Sequence, residues 1–376
     1  MIGAPHDDSH REPFAGISLD RTAADPEWDQ FLASAGGHYH VQSSLWARIK
    51  RLNGWEAFRI KIRDRKGIVG GAQILSRSVG LFGKVGYVAQ GPVIGAGDKE
   101  LANVILAAVV DSVVREDLRV LILQAPAYGA VTRSLKAHGF QAFDVEVSPS
   151  ATAVVDLRPE LDDILGRMSK GMRNGVRRSQ RRGISTRTGT RADVPIFHRL
   201  LEATSQRRGI SIYPVDYFLG LWDVLEPAGA AAIFLSEWNG EPVSAQLCIL
   251  FGNTIVAKRI GWSGKHGKLH PNEALDWHTI RWAKERGLRY YDLEGIERGA
   301  ARSLIDTGSL PPQYRDTPTS YKVRLGGEPR LHPPAACYFA NSAMGILYKL
   351  LGTRILAWDG AQRAIARFRT GSTRSS

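Results

Sequence analysis

The sequence predicts an α/β protein of two tandem units, each a mixed sheet flanked by helices. Three observations lead there. At 376 residues the chain exceeds what one hydrophobic core usually holds, so two domains are expected. An order of three strands, a long helix and one more strand occurs twice, at residues 56–126 and 230–296. Between the two copies lies the polar stretch "VSPSATA", residues 147–153, which reads as a border. The expected organisation is a first domain over 1–150, a second over 151–330 and a C-terminal helical segment over 331–376.

The N-terminal "MIGAPHDDSHREPF" is polar and acidic and holds no apolar signal core. No run approaches the ~20 apolar residues of a membrane span, so a cytoplasmic protein is expected. "AFRIKIRD", "GIVGGAQILSRSV" and "GYVAQGPVI" then read as strands parted by glycine-rich turns. The helix "DKELANVILAAVVDSVVRED" follows, with Leu101, Ile105, Ala108 and Val109 on its apolar side. "RVLILQAP" is a buried type of strand, and the helix around "VTRSLKAHGF" is stopped by Gly139.

Past the border, Pro159 with the first-turn acids Asp162 and Asp163 predicts a helix over 159–182. Leu161, Leu165, Met168, Met172 and Val176 give it an apolar stripe. "AIFLSEW", "PVSAQLCILF" and "TIVAKRIGWS" repeat the strand triplet. "PNEALDWHTIRWAKERG" opens a helix at Pro271, carries Leu275, His278 and Trp282 on one face and stops at Gly287. "LRYYDLEGI" is the strand after it. The segment from Cys337 reads as one or two amphipathic helices with basic ends, packed on the first domain or resting on a membrane surface.

A net charge of +13 favours a polyanionic partner: RNA, a phosphate-bearing substrate or an anionic membrane face. Residues 164–192 hold nine Arg or Lys and no acid. Arg173, Arg177, Arg178, Arg181 and Arg182 fall on the side of the helix away from its stripe. They form either a solvated face or a surface for tRNA backbone or another phosphate-bearing partner. Two cysteines without ligand spacing predict no metal and no disulfide framework, and Cys248 reads as a buried inert thiol. His266 and His270 lack an HExxH, triad or paired-cysteine context. Lys265 and Lys268 sit just ahead of a helix N-terminus, where an anion would be favoured.

Several patches together resemble the FemAB family of aminoacyltransferases. They are "QSSLWARIKRLNGW", "GGAQILSR" and "YVAQGPVI", then "MRNGVRRSQRRGI", "ATSQRRGI", "LHPNEALDWHTIRWAKERGLRYYDLEGI" and "SYKVRLGGEP". The resemblance implies two tandem GNAT-like domains. It implies transfer of an aminoacyl group from aminoacyl-tRNA to a primary amine on a nucleotide- or lipid-linked cell-wall precursor, with no cofactor. Lys50, four residues after Trp46, resembles a lysine aimed at the precursor's phosphates; the plain alternative is a solvated lysine. Arg207 resembles a second basic residue of that site, with Arg208 competing for the role, and Arg259 is grouped with them as substrate-binding. Lys322 matches a lysine near the family's reaction centre, where a fixed cation would stabilise the oxyanion of ester aminolysis; otherwise it is an exposed strand lysine. Tyr321 would position that site. Asp292 and Glu294, two apart on a strand, would share a face as an acid/base pair, or Asp292 would hold the turn that follows.

Two other readings stand beside this one. An acyl-CoA-dependent GNAT N-acyltransferase would need a glycine-rich pyrophosphate loop, which "GWSGKHGKLHPNE" supplies only in part. A non-catalytic RNA- or membrane-surface-binding protein would fit the charge but lacks an aromatic-basic recognition sheet. Many cell-wall enzymes of the family carry a helical arm, and the chain between Gly183 and Ala230 has no room for one.

Overall fold

The structure is a computed structural model and describes residues 15–36, 39–80, 83–95, 98–143, 148–346, 348 and 350. The first half runs β1 (Gly16–Asp20), α1 (Pro26–Ser34), α2 (Ser44–Arg51), β2 (Glu56–Asp64), β3 (Gly67–Ser78), β4 (Lys84–Ala89), β5 (Val93–Ile94), α3 (Lys99–Arg115), β6 (Leu118–Gln124), α4 (Ala130–Ser134) and β7 (Gln141–Ala142). The second half opens with β8 (Ala151–Asp156), α5 (Leu161–Arg167), α6 (Lys170–Arg181), β9 (Ile184–Thr188), α7 (Val194–Arg208) and α8 (Val215–Leu225). It continues with β10 (Ala231–Trp238), β11 (Glu241–Phe251), β12 (Thr254–Trp262), α9 (Pro271–Glu285), β13 (Tyr290–Gly295), α10 (Arg298–Thr307), α11 (Pro318–Arg324), β14 (Glu328–Leu331) and β15 (Ala336–Phe339).

Two mixed sheets result. The first is ordered β1-β2-β3-β4-β6-β15-β7 with β5 beside β3, and the second β14-β8-β13-β12-β11-β10-β9. The predicted repeat is present as β2–β4, α3, β6 and as β10–β12, α9, β13. Each long helix buries its apolar side on its own sheet: Leu101, Ile105 and Val109 in the first unit, Leu275, Ile280 and Ala283 in the second. A third core joins the halves, where Trp46 and Ile49 of α2 meet Phe218, Leu221 and Trp222 of α8. Fully burying side chains of this size is worth about 1.5–3 kcal/mol each, so the halves are held by apolar packing.

Three expectations need correcting. The helix expected over 159–182 is two, because Met168 turns extended and Ser169 starts a new helix by accepting Met172 N–H at 3.2 Å. The Arg173 guanidinium donates to the Gly166 carbonyl at 2.9 Å across this break. "GYVAQGPVI" is likewise two strands, parted by a turn with Gln90 at a positive φ of 48°. The segment from residue 331 begins with strand, not helix: β15 pairs antiparallel with β6 and so belongs to the first sheet. Residues 342–346 are helical, and the rest of that C-terminal reading, from 351, lies outside the described residues. No helix among the described residues is long and apolar enough to cross a membrane.

Each sheet holds one parallel pair from its repeat, and the two differ in a way that places the site. β4 and β6 pair from Lys84↔Leu118 to Ala89↔Gln124, with one register shift between Lys84 and Val85. β12 and β13 pair only from Thr254↔Tyr290 to Val256↔Asp292. Beyond that β12 runs on to Trp262 beside β11, while β13 bulges between Asp292 and Gly295. The strands part, and a cavity opens between them.

Candidate active site

The cavity measures about 580 Å³ and lies between β12 and the end of β13, with α7, α9 and α11 around it. Four of the cationic residues singled out from the sequence line it: Arg207 and Arg208 from α7, Arg259 from β12 and Lys322 from α11. Tyr321 is a fifth lining residue from that set. Lys322 sits in the last turn of a helix rather than on a strand, and its ammonium donates to the Gly295 carbonyl at 2.7 Å. Burial pushes its pKa down, against the pull of Glu294, Asp292, Glu297 and Asp276.

Asp292 and Glu294 do not face the cavity as a pair, because the bulge breaks the two-residue alternation of the strand. Glu294 takes a left-handed φ of 56°, which costs a non-glycine residue energy and persists only where neighbours fix it. Asp292 is that neighbour: its carboxylate accepts the Glu294 N–H at 2.8 Å and the Thr152 hydroxyl. The Glu294 carboxylate then pairs with Lys258 and lies 3.8 Å from Arg259. Burial raises its pKa, but the Lys258 and Arg259 charges outweigh burial and hold it below the usual glutamate value.

The first half supplies a second cluster of cations next to this one. Gln42 anchors it by donating to the Ala89 carbonyl at 2.7 Å and accepting Gln73 N–H at 2.7 Å, which fixes the start of α2 on β3 and β4. Ser43 caps α2 by accepting Trp46 N–H at 3.1 Å. One helical turn separates Trp46 from Lys50, so the Lys50 ammonium rests 5.1 Å from the indole centroid. Lys258 approaches the same ring at 4.9 Å, bringing the two halves together on one tryptophan. Lys50 has no ion-pair partner among the described residues. Its pKa is pushed down to about 8 by burial, then by the charges of Lys258, Arg259 and Arg77. Buried Arg77 Nη1 lacks a hydrogen-bond partner among the described residues. A pocket of crowded, under-neutralised cations at such a junction suits a multiply charged anion.

Arg207 stacks over Trp262 at 5.1 Å and donates to its carbonyl, which ties the end of α7 to β12. The basic helix α6 sits close by. The Ser169 N–H that begins it donates to the Arg324 carbonyl of α11 at 2.9 Å. Arg177, Arg178, Arg181 and Arg182 are exposed, whereas Arg173 is half-buried. Arg182 reaches the Lys268 carbonyl at 2.6 Å. The start of α9 is covered: Gly175 of α6 packs on His270 and Glu273, and His270 Nδ1 lies 3.0 Å from the Glu273 carboxylate. Among the described residues no group of three His, Cys, Asp or Glu could hold a metal ion.

Sequence reasoning missed Asp276, Lys258 and Arg77. Asp276 is only 2% exposed yet lines the cavity from α9. The signal was an acid one helical turn before Thr279 and Ile280, on the face that also carries Leu275 and Ala283 and should be wholly apolar. Lys258 and Arg77 gave none, since a lysine or arginine on a strand is ordinarily a surface residue.

An Acetyltransferase (GNAT) domain family matches residues 166–302. The lipid II:glycine glycyltransferase of Staphylococcus aureus (strain MRSA252) is 26% identical over 302 residues, covering 76% of this chain and 71% of that protein. Among solved structures, FemX superposes with a TM-score of 0.74 at 19% identity, covering 88% of this chain and 98% of FemX. A tandem GNAT protein from the clavulanic acid biosynthesis pathway superposes with a TM-score of 0.51 at 12% identity, covering 87% of this chain and 99% of that one.

Proposed function

We propose that the chain, an acyltransferase with two GNAT-like units, works as a FemAB-type enzyme that moves an aminoacyl group from aminoacyl-tRNA to a primary amine of a nucleotide- or lipid-linked cell-wall precursor. The observation that carries this reading is the cavity between β12 and β13, where Lys322 and Tyr321 meet cations from α7 and β12.

The ester of an aminoacyl-tRNA is already activated, so no cofactor is needed. The amine attacks the ester carbonyl, and Lys322 stabilises the developing oxyanion; one such donor is worth about 10²–10³ in rate. Lys50, Arg77 and Arg259, with Arg207 and Arg208 at the far wall, hold the acceptor's phosphates. Trp46 fixes Lys50 in place. Asp292 acts through the backbone of Glu294, which in turn sets Lys258 and Arg259. The exposed arginines of α6 contact the tRNA backbone, since α6 is joined to the Lys322 helix at Ser169. Coenzyme A is disfavoured on this reading: Pro271 removes one donor from the first turn of α9, and Glu273 and Gly175 of α6 crowd the helix start where a pyrophosphate would be bound. The enzyme would work in the cytoplasm, against the inner membrane face when its acceptor is lipid-linked.

A labelled transfer assay tests the reading. Product should form from aminoacyl-tRNA and an amine-bearing lipid- or nucleotide-linked precursor, and prior RNase treatment should abolish it. Product formation from acyl-CoA, unaffected by RNase, would overturn the donor assignment.

A further inference from the structure

Asp276 is the buried carboxylate that the reaction outlined above leaves unused. Both of its oxygens are engaged: Oδ1 accepts the Tyr291 hydroxyl at 2.6 Å and Oδ2 the Tyr321 hydroxyl at 2.7 Å. Behind it, Gln246 Nε2 donates to the Tyr291 oxygen at 2.5 Å, and the Thr279 hydroxyl donates to Gln246 Oε1 at 3.0 Å. Two members of this network line the cavity, Asp276 itself and Tyr321, and Tyr321 is half-buried there beside Lys322. The Tyr321 hydroxyl therefore links the cavity to the Asp276 carboxylate by one hydrogen bond.

We propose that Asp276, acting through the Tyr321 hydroxyl, takes up the proton that the acceptor ammonium sheds before it attacks. The inference rests on acyl transfer to an amine at this site. The ammonium proton passes to the Tyr321 oxygen as the Tyr321 proton passes to Asp276 Oδ2. The freed nitrogen forms the C–N bond to the ester carbonyl. A second proton moves from nitrogen to the ester oxygen as the C–O bond breaks, giving amide and alcohol. Asp276 returns its proton to solvent through Tyr321 when product leaves. Atoms and charge balance with no further reactant. Tyr321 touches the substrate, and Asp276 is the positioning and proton-storing group behind it.

The surroundings suit this work. Burial raises the Asp276 pKa, the Tyr291 and Tyr321 hydroxyls lower it, Glu273 raises it and Lys322 lowers it, leaving it at about 6. Cys248, on β11, also interacts with Asp276, and burial keeps its thiol well above the usual value. A base of this strength is ionised at neutral pH and still able to accept a proton, which is the favourable range for general-base catalysis.

Two readouts test the proposal on the full chain. The first needs no turnover. In an infrared pH titration, a protonated-carboxyl band should grow as pH falls through about 6, vanish in Asp276→Asn and shift in Tyr321→Phe. Absence of that band in the wild type would overturn the proposal. The second is the pH–rate profile of single-turnover transfer. The wild-type rate should fall below about pH 6. In Asp276→Asn and Tyr321→Phe the rate at pH 7 should drop about 100-fold or more, and the limb should move up toward the amine's own pKa, about 8–10. Tyr321→Phe removes one hydroxyl only and decides the matter where Asp276→Asn does not fold. A limb left at its wild-type position in a folded variant would overturn the relay. No transfer by the wild type with the infrared band present would instead overturn the functional reading.

Discussion

Asp292 accepts the backbone N–H of Glu294 at 2.8 Å, and this bond holds Glu294 in the left-handed conformation that turns its carboxylate to Lys258 and Arg259. One acid thus sets the backbone and the other sets the cations. Asp292→Ala should cost about 1–3 kcal/mol, the usual penalty for stranding a buried donor, and should lower transfer. Asp292→Asn keeps an acceptor oxygen and should retain most of both. Denaturant melts and initial rates on the two variants check this. Equal losses in both would show that charge, rather than the bond, matters.

Lys50 predicts a pH dependence whose sign is fixed. Its pKa falls from 10.5 to about 8 on folding, so between those values the unfolded chain binds more protons than the folded one. Stability contributed by this group is therefore lowest below pH 8 and recovers as pH rises through that window. Phosphate binding runs the other way, because a neutral Lys50 cannot attract an anion. Calorimetric titration with a diphosphate-bearing acceptor should show affinity falling above pH 8. Lys50→Met should lose about 10-fold or more in affinity, consistent with a hydrogen bond to a charged group, and should flatten the pH dependence. The same variant should melt higher than the wild type in the absence of ligand.

Lys322→Met should lower the rate of the chemical step by about 10²–10³ with little change in acceptor affinity. Thermal melts should stay close to wild type, because the substitution leaves the methylene stem packed and frees only the Gly295 carbonyl. A variant with wild-type turnover would remove Lys322 from the reaction centre.

Arg177, Arg178 and Arg181 are exposed, with Met172 and Val176 carrying the buried side of the same helix. Replacing all three by Gln should leave the melting temperature within the small range of surface substitutions, about ±0.5 kcal/mol each. Binding of aminoacyl-tRNA, followed by filter retention at several salt concentrations, should weaken, with a shallower dependence on salt. An unchanged salt slope would return this face to mere solvation.

Much of this was legible in the sequence because it rests on local periodicity. The doubled order of strands and helix follows from apolar alternation and from stop residues such as Gly139 and Gly287, and the structure reproduces it. The break at Ser169 was hidden, since the apolar stripe continues in register across it from Leu165 to Met172. The strand at β15 was hidden as well, because its partner β6 is more than 200 residues away, a pairing no local pattern encodes. At the site, Lys322 and Tyr321 were visible through motif resemblance. Lys258 was not, as its importance comes from a tryptophan in the other half of the chain. The pairing of Asp292 with Glu294 failed as an inference because strand alternation holds only where the strand is regular.

Gly261 offers a test of how the wall of the cavity is seated. A methyl group there would come within 2.4 Å of the Leu201 backbone nitrogen. Gly261→Ala should destabilise by about 1–3 kcal/mol, as overpacking does, and should weaken acceptor binding by pushing α7 and its Arg207 off β12. Chemical denaturation paired with a binding isotherm measures both effects.

The contrast between the two parallel pairs bears on throughput. In the first sheet β4 and β6 pair as far as Ala89 and Gln124 with one register shift after Lys84, and in the second β12 and β13 part after three residues. On the proposed function the duplicated halves are unequal in labour: the second would seat the acyl group at the cavity between β12 and β13, and the first carries Lys50. Each visit to that cavity then adds one residue. Any product bearing two additions must come from separate visits, so with protein limiting, the singly extended species should build up first and decline only as the doubly extended one appears.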